Sequence, residues 1–405
     1  LNSGKNVTVL RRIAFMGKSY RVALMLDLEW PYKRHANIFA GTQKYAEEQG
    51  WRSVIDEFVH HTLPAKRTKS IPYDGIIARA NSELAERATR LRVPLVNVWI
   101  SSPAWDVLPG VYPDFTMCGR LLAEHLLSRG LRNFAAIVAF NNRGQNLELV
   151  EFRRLVEAEG FSCVFAKVPQ SISRSLDHWI KTKEAVSQWM DSWKLPIGVI
   201  VRGEDLGRIV VQMCHDRGWR VPQDVAIIAG QNQETLCEHP RPSLTSMESG
   251  YERIGYASAK LLQSLMDGNK PPTKPILVSP QGLVVRESTD FYAVQDELVA
   301  AALKFISTNS HRRIGQDDVS RAVSAETRTL QLRFRKALNR PIAAEIRRVR
   351  IERAKRELAQ SDRRLADIAR DVGFGGSMRM CEVFRRELGV TPSEYRKQRR
   401  LDAEL

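Results

Sequence analysis

Cysteine is sparse in this 405-residue chain, and no cysteine motif occurs. The five residues, Cys118, Cys163, Cys214, Cys237 and Cys381, are scattered and odd in number, with no CxxC pair. That excludes a zinc knuckle or a disulfide framework and suits a reducing compartment. No apolar run reaches the roughly 18 residues of a membrane span. The basic stretch through Arg11-Arg12 leads into no secretory apolar core, so a cytoplasmic protein is expected. Catalytic constellations are missing as well. Gly17-Lys18-Ser19 ends like a phosphate-binding loop, but Arg12 stands where such a loop needs its first glycine. His60-His61 has no partner at metal spacing, and the acidic pairs Glu47-Glu48, Glu204-Asp205 and Asp317-Asp318 sit beside no nucleophile. No enzyme activity, metal or cofactor is expected. Low-complexity tracts are absent too.

What is present is globular: 43% apolar and 27% charged residues, with a formal net charge of +16. The length implies two or three domains. The charge is uneven. Residues 296–405 carry 25 Lys/Arg against 16 Asp/Glu, whereas the much longer 1–295 carries 37 against 30. A basic C-terminal part suits a phosphate-bearing partner.

From Arg21 to about residue 287, apolar runs alternate with helical patterns. Strands are predicted at 21–26, 51–58, 75–78, 94–99, 133–138, 197–201 and 225–229. Helices are predicted at 37–49, 117–128, 149–159, 182–193 and 206–217, several ending at glycine. Such alternation implies a mainly parallel sheet covered on both faces, and its length suits two α/β lobes. The prolines at 271, 272, 275 and 280 fit short return strands. Ligands of such sheets bind beyond the carboxyl ends of strands. That rule selects Asn142, Asp205 and Gln231, with Asn232 next to it, as polar contacts. Trp30 fits either stacking on the apolar face of a ligand ring or a core or interface position.

Beyond residue 297 the pattern becomes helix upon helix, with two helix-turn-helix segments in tandem. In the first, Asp317–Val323 is the expected supporting helix and Glu326–Leu338 the recognition helix. Val319, Val323, Leu330 and Phe334 form its buried stripe, leaving Thr327, Arg328, Gln331 and Arg335 on other faces. Arg and Gln are suited to bidentate contacts with guanine and adenine. A long helix over 343–360 follows, and its run of Arg347, Arg348, Arg350, Arg353 and Lys355 reads as a mostly solvated face, with phosphate contact open to some members. In the second segment Leu365, Ile368, Ala369, Val372 and Phe374 are core. Ser377, Met378, Arg379 and Glu382 head the second recognition helix, and Arg385 and Arg386 suit phosphate contacts or plain solvation. Two recognition helices on one rigid unit would enter successive major grooves about 34 Å apart. One copy would then read a direct, non-palindromic half-site in double-stranded operator DNA.

Two resemblances sharpen this reading. Pro94-Leu-Val-Asn-Val, the stretch Asp114-Phe-Thr-Met-Cys-Gly-Arg-Leu-Leu-Ala-Glu-His-Leu-Leu-Ser-Arg-Gly130, and Val221-Pro-Gln-Asp-Val-Ala-Ile-Ile-Ala-Gly230 followed by Pro242-Ser-Leu-Thr-Ser246 resemble, in this order, the LacI/GalR-type sensor domain. That domain is a two-lobed relative of periplasmic binding proteins. Ile368-Ala through Gly373-Phe374, then Phe384-Arg-Arg, Gly389, Thr391-Pro392 and Tyr395-Arg396, resemble the AraC/XylS DNA-binding domain. The expected fold is therefore an α/β two-lobed periplasmic-binding-protein-like sensor plus an all-α tandem helix-turn-helix domain. Expected boundaries are an N-terminal extension at 1–19, the sensor at 20–287, a linker at 288–296 and the DNA-binding domain at 297–400.

The sensor resemblance implies a small-molecule effector that closes two lobes, a sugar with xylose as first candidate. It assigns Asp114 to the sugar hydroxyls. Two family positions depart: Glu148 stands nearest a usual arginine, and Gln231 replaces a usual aspartate. A different ligand, or a protein effector of a degenerate pocket, therefore stays open beside the sugar. Analogy with paired sensors implies a homodimer, and RNA polymerase is a further expected partner.

Overall fold

The computed structural model describes residues 19–29, 33–66, 70–139, 142–168, 175–292, 294, 296–338 and 340–397. In chain order the first elements are β1 (Arg21–Met25), α1 (Lys33–Gln49), β2 (Arg52–Ile55), α2 (Val59–Thr62), β3 (Gly75–Ala78), α3 (Ser82–Leu91), β4 (Leu95–Asn97) and β5 (Val111–Pro113). Next come α4 (Phe115–Ser128), β6 (Asn133–Ala139), α5 (Arg143–Ala158), β7 (Ser162–Val168), α6 (Leu176–Asp191), β8 (Ile197–Val201), α7 (Glu204–Asp216), β9 (Val225–Ala229), α8 (Glu234–Glu238) and β10 (Thr245–Glu248). The chain continues with α9 (Tyr251–Met266), β11 (Ile276–Val278), β12 (Gly282–Val284) and a 3-10 turn at Glu287–Thr289. Six helices finish it: α10 (Glu297–Asn309), α11 (Gln316–Ala322), α12 (Thr327–Leu338), α13 (Ile342–Gln360), α14 (Leu365–Asp371) and α15 (Ser377–Leu388).

The chain forms two compact units, Leu1–Tyr112 with Tyr251–Val278, and Pro113–Gly250 with Ser279–Leu405. The first unit holds a parallel sheet in the order β2-β1-β3-β4. Period-2 alternation sends Val22 and Leu24 to the face under α1 and α9, and Ala23 and Met25 to the face under α3. Between α1 and α9 the backbones nearly touch: a Cβ on Gly41 would overlap the Glu252 carbonyl, and one on Gly255 would overlap that of Ile38. Thr42 Oγ1 donates to the Gly255 carbonyl across the same crossing at 3.3 Å.

The second unit begins with a six-stranded sheet, β12-β10-β9-β8-β6-β7, parallel except for β12 against β10. Ile197, Val199 and Val201 face α6 and α7, while Phe134, Ala136 and Ile200 face α4 and α5. The helical end has two cores joined by α13. Ile342 and Ile346 pack with α10, α11 and α12, whereas Ile351, Ala354 and Leu358 pack with α14 and α15. No helix among the described residues is long and apolar enough to cross a membrane.

Several elements differ from the sequence expectation. Helix α6 starts at Leu176 rather than 182, capped by Ser175, which accepts from His178 N; Leu176, Trp179 and Ile180 face outward, so the inward apolar stripe does not reach this first turn. The edge strand β7 went unpredicted, its Val164 and Phe165 both being over a third exposed, so no alternation shows. The second strand is shorter than expected, Arg52–Ile55.

Candidate nucleic-acid interface and effector-binding surfaces

The two helix-turn-helix units are locked to each other through α13. Arg350 of that helix is 9% exposed. Its guanidinium donates to the carbonyl oxygens of Ser310 (2.9 Å), Arg312 (2.9 Å) and Ile314 (3.2 Å), capping the end of α10. Gly373, the turn of the second unit, has φ +91° and lies against the same Ser310 carbonyl. Arg353 donates to Ser307 O at 2.7 Å. Glu345 is fully buried between Arg340 (2.8 Å) and Arg348 (2.6 Å). Arg348, Arg350 and Arg353 of the basic run are therefore structural rather than solvated, a correction to the sequence reading: their charged heads satisfy carbonyls and a buried carboxylate that would otherwise be costly.

Each recognition helix buries one stripe and exposes the opposite one. In α12, Leu330 and Phe334 are fully buried. Arg328, Leu332 and Arg335 follow at i, i+4 and i+7 on the outer face, all exposed. Leu332 is 63% exposed. In α15, Met380, Val383 and Phe384 are buried, and Met378, Glu382 and Arg385 form the equivalent outer stripe. Arg328, Arg335 and Arg379 show no hydrogen bond or ion pair among the described residues. Other expected contacts are tied down at the edges of these faces. Thr327 Oγ1 donates to Asp317 Oδ1 (3.2 Å), Gln331 Nε2 to Gln316 Oε1 (2.7 Å), and Arg386 pairs with Glu387 (2.9 Å). Ser377 is half-buried at the start of α15. Sequence reasoning missed Leu332; its spacing of four from Arg328 was the available signal.

On the first sheet, the carboxyl ends of β1, β3 and β4 frame a cavity of about 460 Å³ lined by Asp27, Glu57, Phe58, Arg79, Asn81 and Trp99 among others. Arg79 Nη1 donates to Asp27 Oδ2 at 2.9 Å, and its guanidinium lies 4.9 Å from the Trp99 ring centre. Asp27 has φ +59°, a left-handed conformation held from three sides. Its N–H and that of Leu28 donate to Glu57 (2.8 and 3.3 Å), and its carbonyl accepts from His35 Nδ1 (2.8 Å). Strain so over-determined is typical of binding surfaces. Trp30 lies outside the described residues.

His35 is 2% exposed, and Arg34 Nε donates to its Nε2 at 3.2 Å. Accepting from Arg34 at Nε2 requires the neutral ring, and burial pushes its pKa down to about 4. The unfolded ring binds a proton near pH 6.5 and the folded one does not until about 4. This contribution is thus complete above pH 6.5 and shrinks as pH falls, by at most about 1.4 kcal/mol per unit. Urea unfolding between pH 6.5 and 4 should show that slope in the difference between the native chain and His35→Gln. A pH-independent difference would refute the neutral ring.

On the second sheet Asn142, Asp205, Gln231 and Asn232 stand at the carboxyl edge, because β6, β8 and β9 run parallel, whereas Asp114 follows β5, outside that sheet. Asp114 caps α4, accepting from Met117 N at 2.9 Å, and Asn142 caps α5, accepting from Gln145 N at 3.0 Å. Asp205 lies in the first turn of α7, half-buried. The buried Glu204 carboxylate takes the Gln231 N–H (2.6 Å), the Gln233 N–H (3.2 Å) and the Ser246 hydroxyl (2.9 Å), fixing the loop after β9. Asn232 is 5% exposed, and its side chain is engaged at both ends by Glu248 and Arg286. Glu148, in α5, has its carboxyl pushed up by burial to about 7. No cluster of three His, Cys, Asp or Glu placed to hold a metal occurs among the described residues.

Residues 123–289 match the periplasmic binding protein-like domain, and 319–398 match a helix-turn-helix domain. The xylose operon regulatory protein of Haemophilus influenzae is 27% identical over 93% of this chain and 98% of its own length. The helix-turn-helix transcriptional activator AarP of Providencia stuartii is 32% identical over 27% of this chain and 80% of its own length. A solved xylose-binding transcription activator superposes with a TM-score of 0.56 at 23% identity, covering 94% of this chain and 98% of that one. The chain belongs to the AraC-type helix-turn-helix transcriptional regulators, with a periplasmic-binding-protein-like sensor ahead of its DNA-binding domain.

Proposed function

We propose that this regulator answers to a sugar, xylose first, and reads one half-site with both recognition helices of a single copy. The observation that carries the DNA reading is the matched pair of outer stripes, Arg328/Leu332/Arg335 and Met378/Glu382/Arg385, each opposite a buried core stripe. Thr327, Gln331, Ser377 and Arg379 flank them at base-edge positions, and Arg386 suits phosphate. The sugar reading is supported by the polar and aromatic cavity around Asp27, Arg79 and Trp99, by relatives named for the xylose operon, by Asn142, Asp205 and Gln231 at the second strand edge, and by Asp114 at the start of α4. We assign sensing to residues 20–287 and DNA reading to 297–400. A homodimer on adjacent half-sites and contact with RNA polymerase complete the proposal, by analogy with a relative named as an activator.

Calorimetry of the full chain against D-xylose and a pentose and hexose panel tests the effector. One sugar is expected to bind and to change operator affinity; no binding at millimolar concentration would end the sugar reading and leave a non-sugar or protein effector. Arg328→Ala is expected to cost about 1–3 kcal/mol, confined to the bases under α12. Leu332→Ala should relax a preference for thymine through its methyl group at the same sub-site. A binding-site selection reads both. Uniform weakening over all sequences would instead make Arg328 a phosphate contact.

A further inference from the structure

The segment between sensor and DNA-binding domain is built as a strut. Glu287 accepts from Ser243 N (2.7 Å) and pairs with Arg241 (2.6 Å). Ser288 and Thr289 are fully buried. Ser288 Oγ donates to Ile227 O at 2.6 Å, and Thr289 Oγ1 meets Thr245 Oγ1 (2.7 Å) and His125 Nε2 (2.9 Å). Tyr292 and Val294 then pack into the core shared by α10, α11 and α12. Asp296 caps α10 and pairs with Arg333 of α12 at 3.4 Å. Among the described residues, contacts at 287–289, 292, 294 and 296 thus run from the sensor sheet to the first recognition helix.

The strut begins at Arg286, whose side chain is 9% exposed. Its guanidinium donates to Glu238 Oε1 (2.6 Å), Leu244 O (3.0 Å) and Asn232 Oδ1 (2.8 Å). Asn232 sits in the loop that carries Gln231, at φ +56°. Its N–H donates to Ser246 Oγ (2.7 Å) and its amide to Glu248 Oε2 (2.9 Å). Both polar ends of its side chain are held by the protein, and at 5% exposure it presents little surface to a ligand. Because Glu204 holds the backbone on both sides of Asn232, a ligand that displaces Gln231 displaces the loop as a unit.

We propose that the Asn232–Arg286 hydrogen bond is the joint through which the effector loop moves the DNA-binding domain, so that Asn232 is a positioning residue and not an effector contact. This rests on the reading that places the effector beside Gln231. A ligand shifts an equilibrium only through contacts that differ between two states. The joint supplies such a contact, since its two partners lie on the loop and on the first residue of the strut.

The test uses the full chain with Asn232→Gly, which tolerates the left-handed backbone, and Arg286→Lys, which retains a charge beside Glu238. Without effector, amide exchange over 286–292 should quicken about tenfold or more in both variants. With D-xylose, affinity by calorimetry should stay within about threefold of the native chain, while the effector-induced change in operator affinity falls towards one. Unchanged exchange over 286–292 would overturn the joint, as would a loss of xylose affinity beyond about tenfold, which would make Asn232 a direct contact. If the native chain binds no sugar, the effector reading fails on its own, and the exchange measurement still decides the joint.

Discussion

Gly373→Ala is expected to abolish specific operator binding while leaving effector binding intact. At φ +91° an L-residue is strained by roughly 1–2 kcal/mol before any contact is considered. The added methyl would also overlap the Ser310 carbonyl and crowd Arg350 Nε at 2.9 Å. That carbonyl cannot retreat, because it ends α10 and already accepts from Arg350 Nε. Overpacking of this kind costs about 1–3 kcal/mol more. The turn of the second unit must lift away from α10, and the two recognition helices lose their common register. Fluorescence anisotropy with a full half-site should show the loss, and calorimetry should show unaltered effector affinity. Native operator affinity in the variant would show that the two units read DNA independently.

Gly41→Val should do the reverse. Its Cβ would sit within the Glu252 carbonyl and close to Tyr256 N, atoms of the α9 backbone. No side-chain rotation relieves backbone overlap, so the helices must separate, and with them Ile38, Tyr45, Ile254 and Leu262 of the core beneath. We expect a loss of about 3 kcal/mol or more, at the severe end for single substitutions. The cavity at the ends of β1, β3 and β4 depends on that sheet, so effector binding disappears. Thermal unfolding should gain an early transition, and anisotropy should still report operator binding. A variant with native stability and native effector affinity would refute the tight crossing.

Much of this was legible beforehand for a local reason. Buried strands such as Ile197–Val201 are continuous apolar runs, and recognition helices are amphipathic, so burial prints its period on neighbouring residues. The core stripe Leu330/Phe334 and the turn before Phe374 follow from that period alone. Where solvent-facing residues were apolar, as at Leu176 and Trp179, the period misled and the helix start was missed. Leu332 has no assignment in the sequence reading, and its outward position follows once Leu330 and Phe334 are seen to fill the core on the opposite face.

By itself, then, the sequence determined the alternation of strands and helices, the tandem helix-turn-helix and the polar segments at the strand ends, because those depend on residues close in the chain. Only the tertiary structure decided which polar groups are spoken for. Arg350 and its acceptor Ser310 are 40 residues apart, and Asn232 and Arg286 are 54 apart. A side chain's remaining freedom to bind DNA or effector is what is left after such distant partners are satisfied. Composition and spacing carry no record of those partners, whereas burial makes leaving them unpaired too costly.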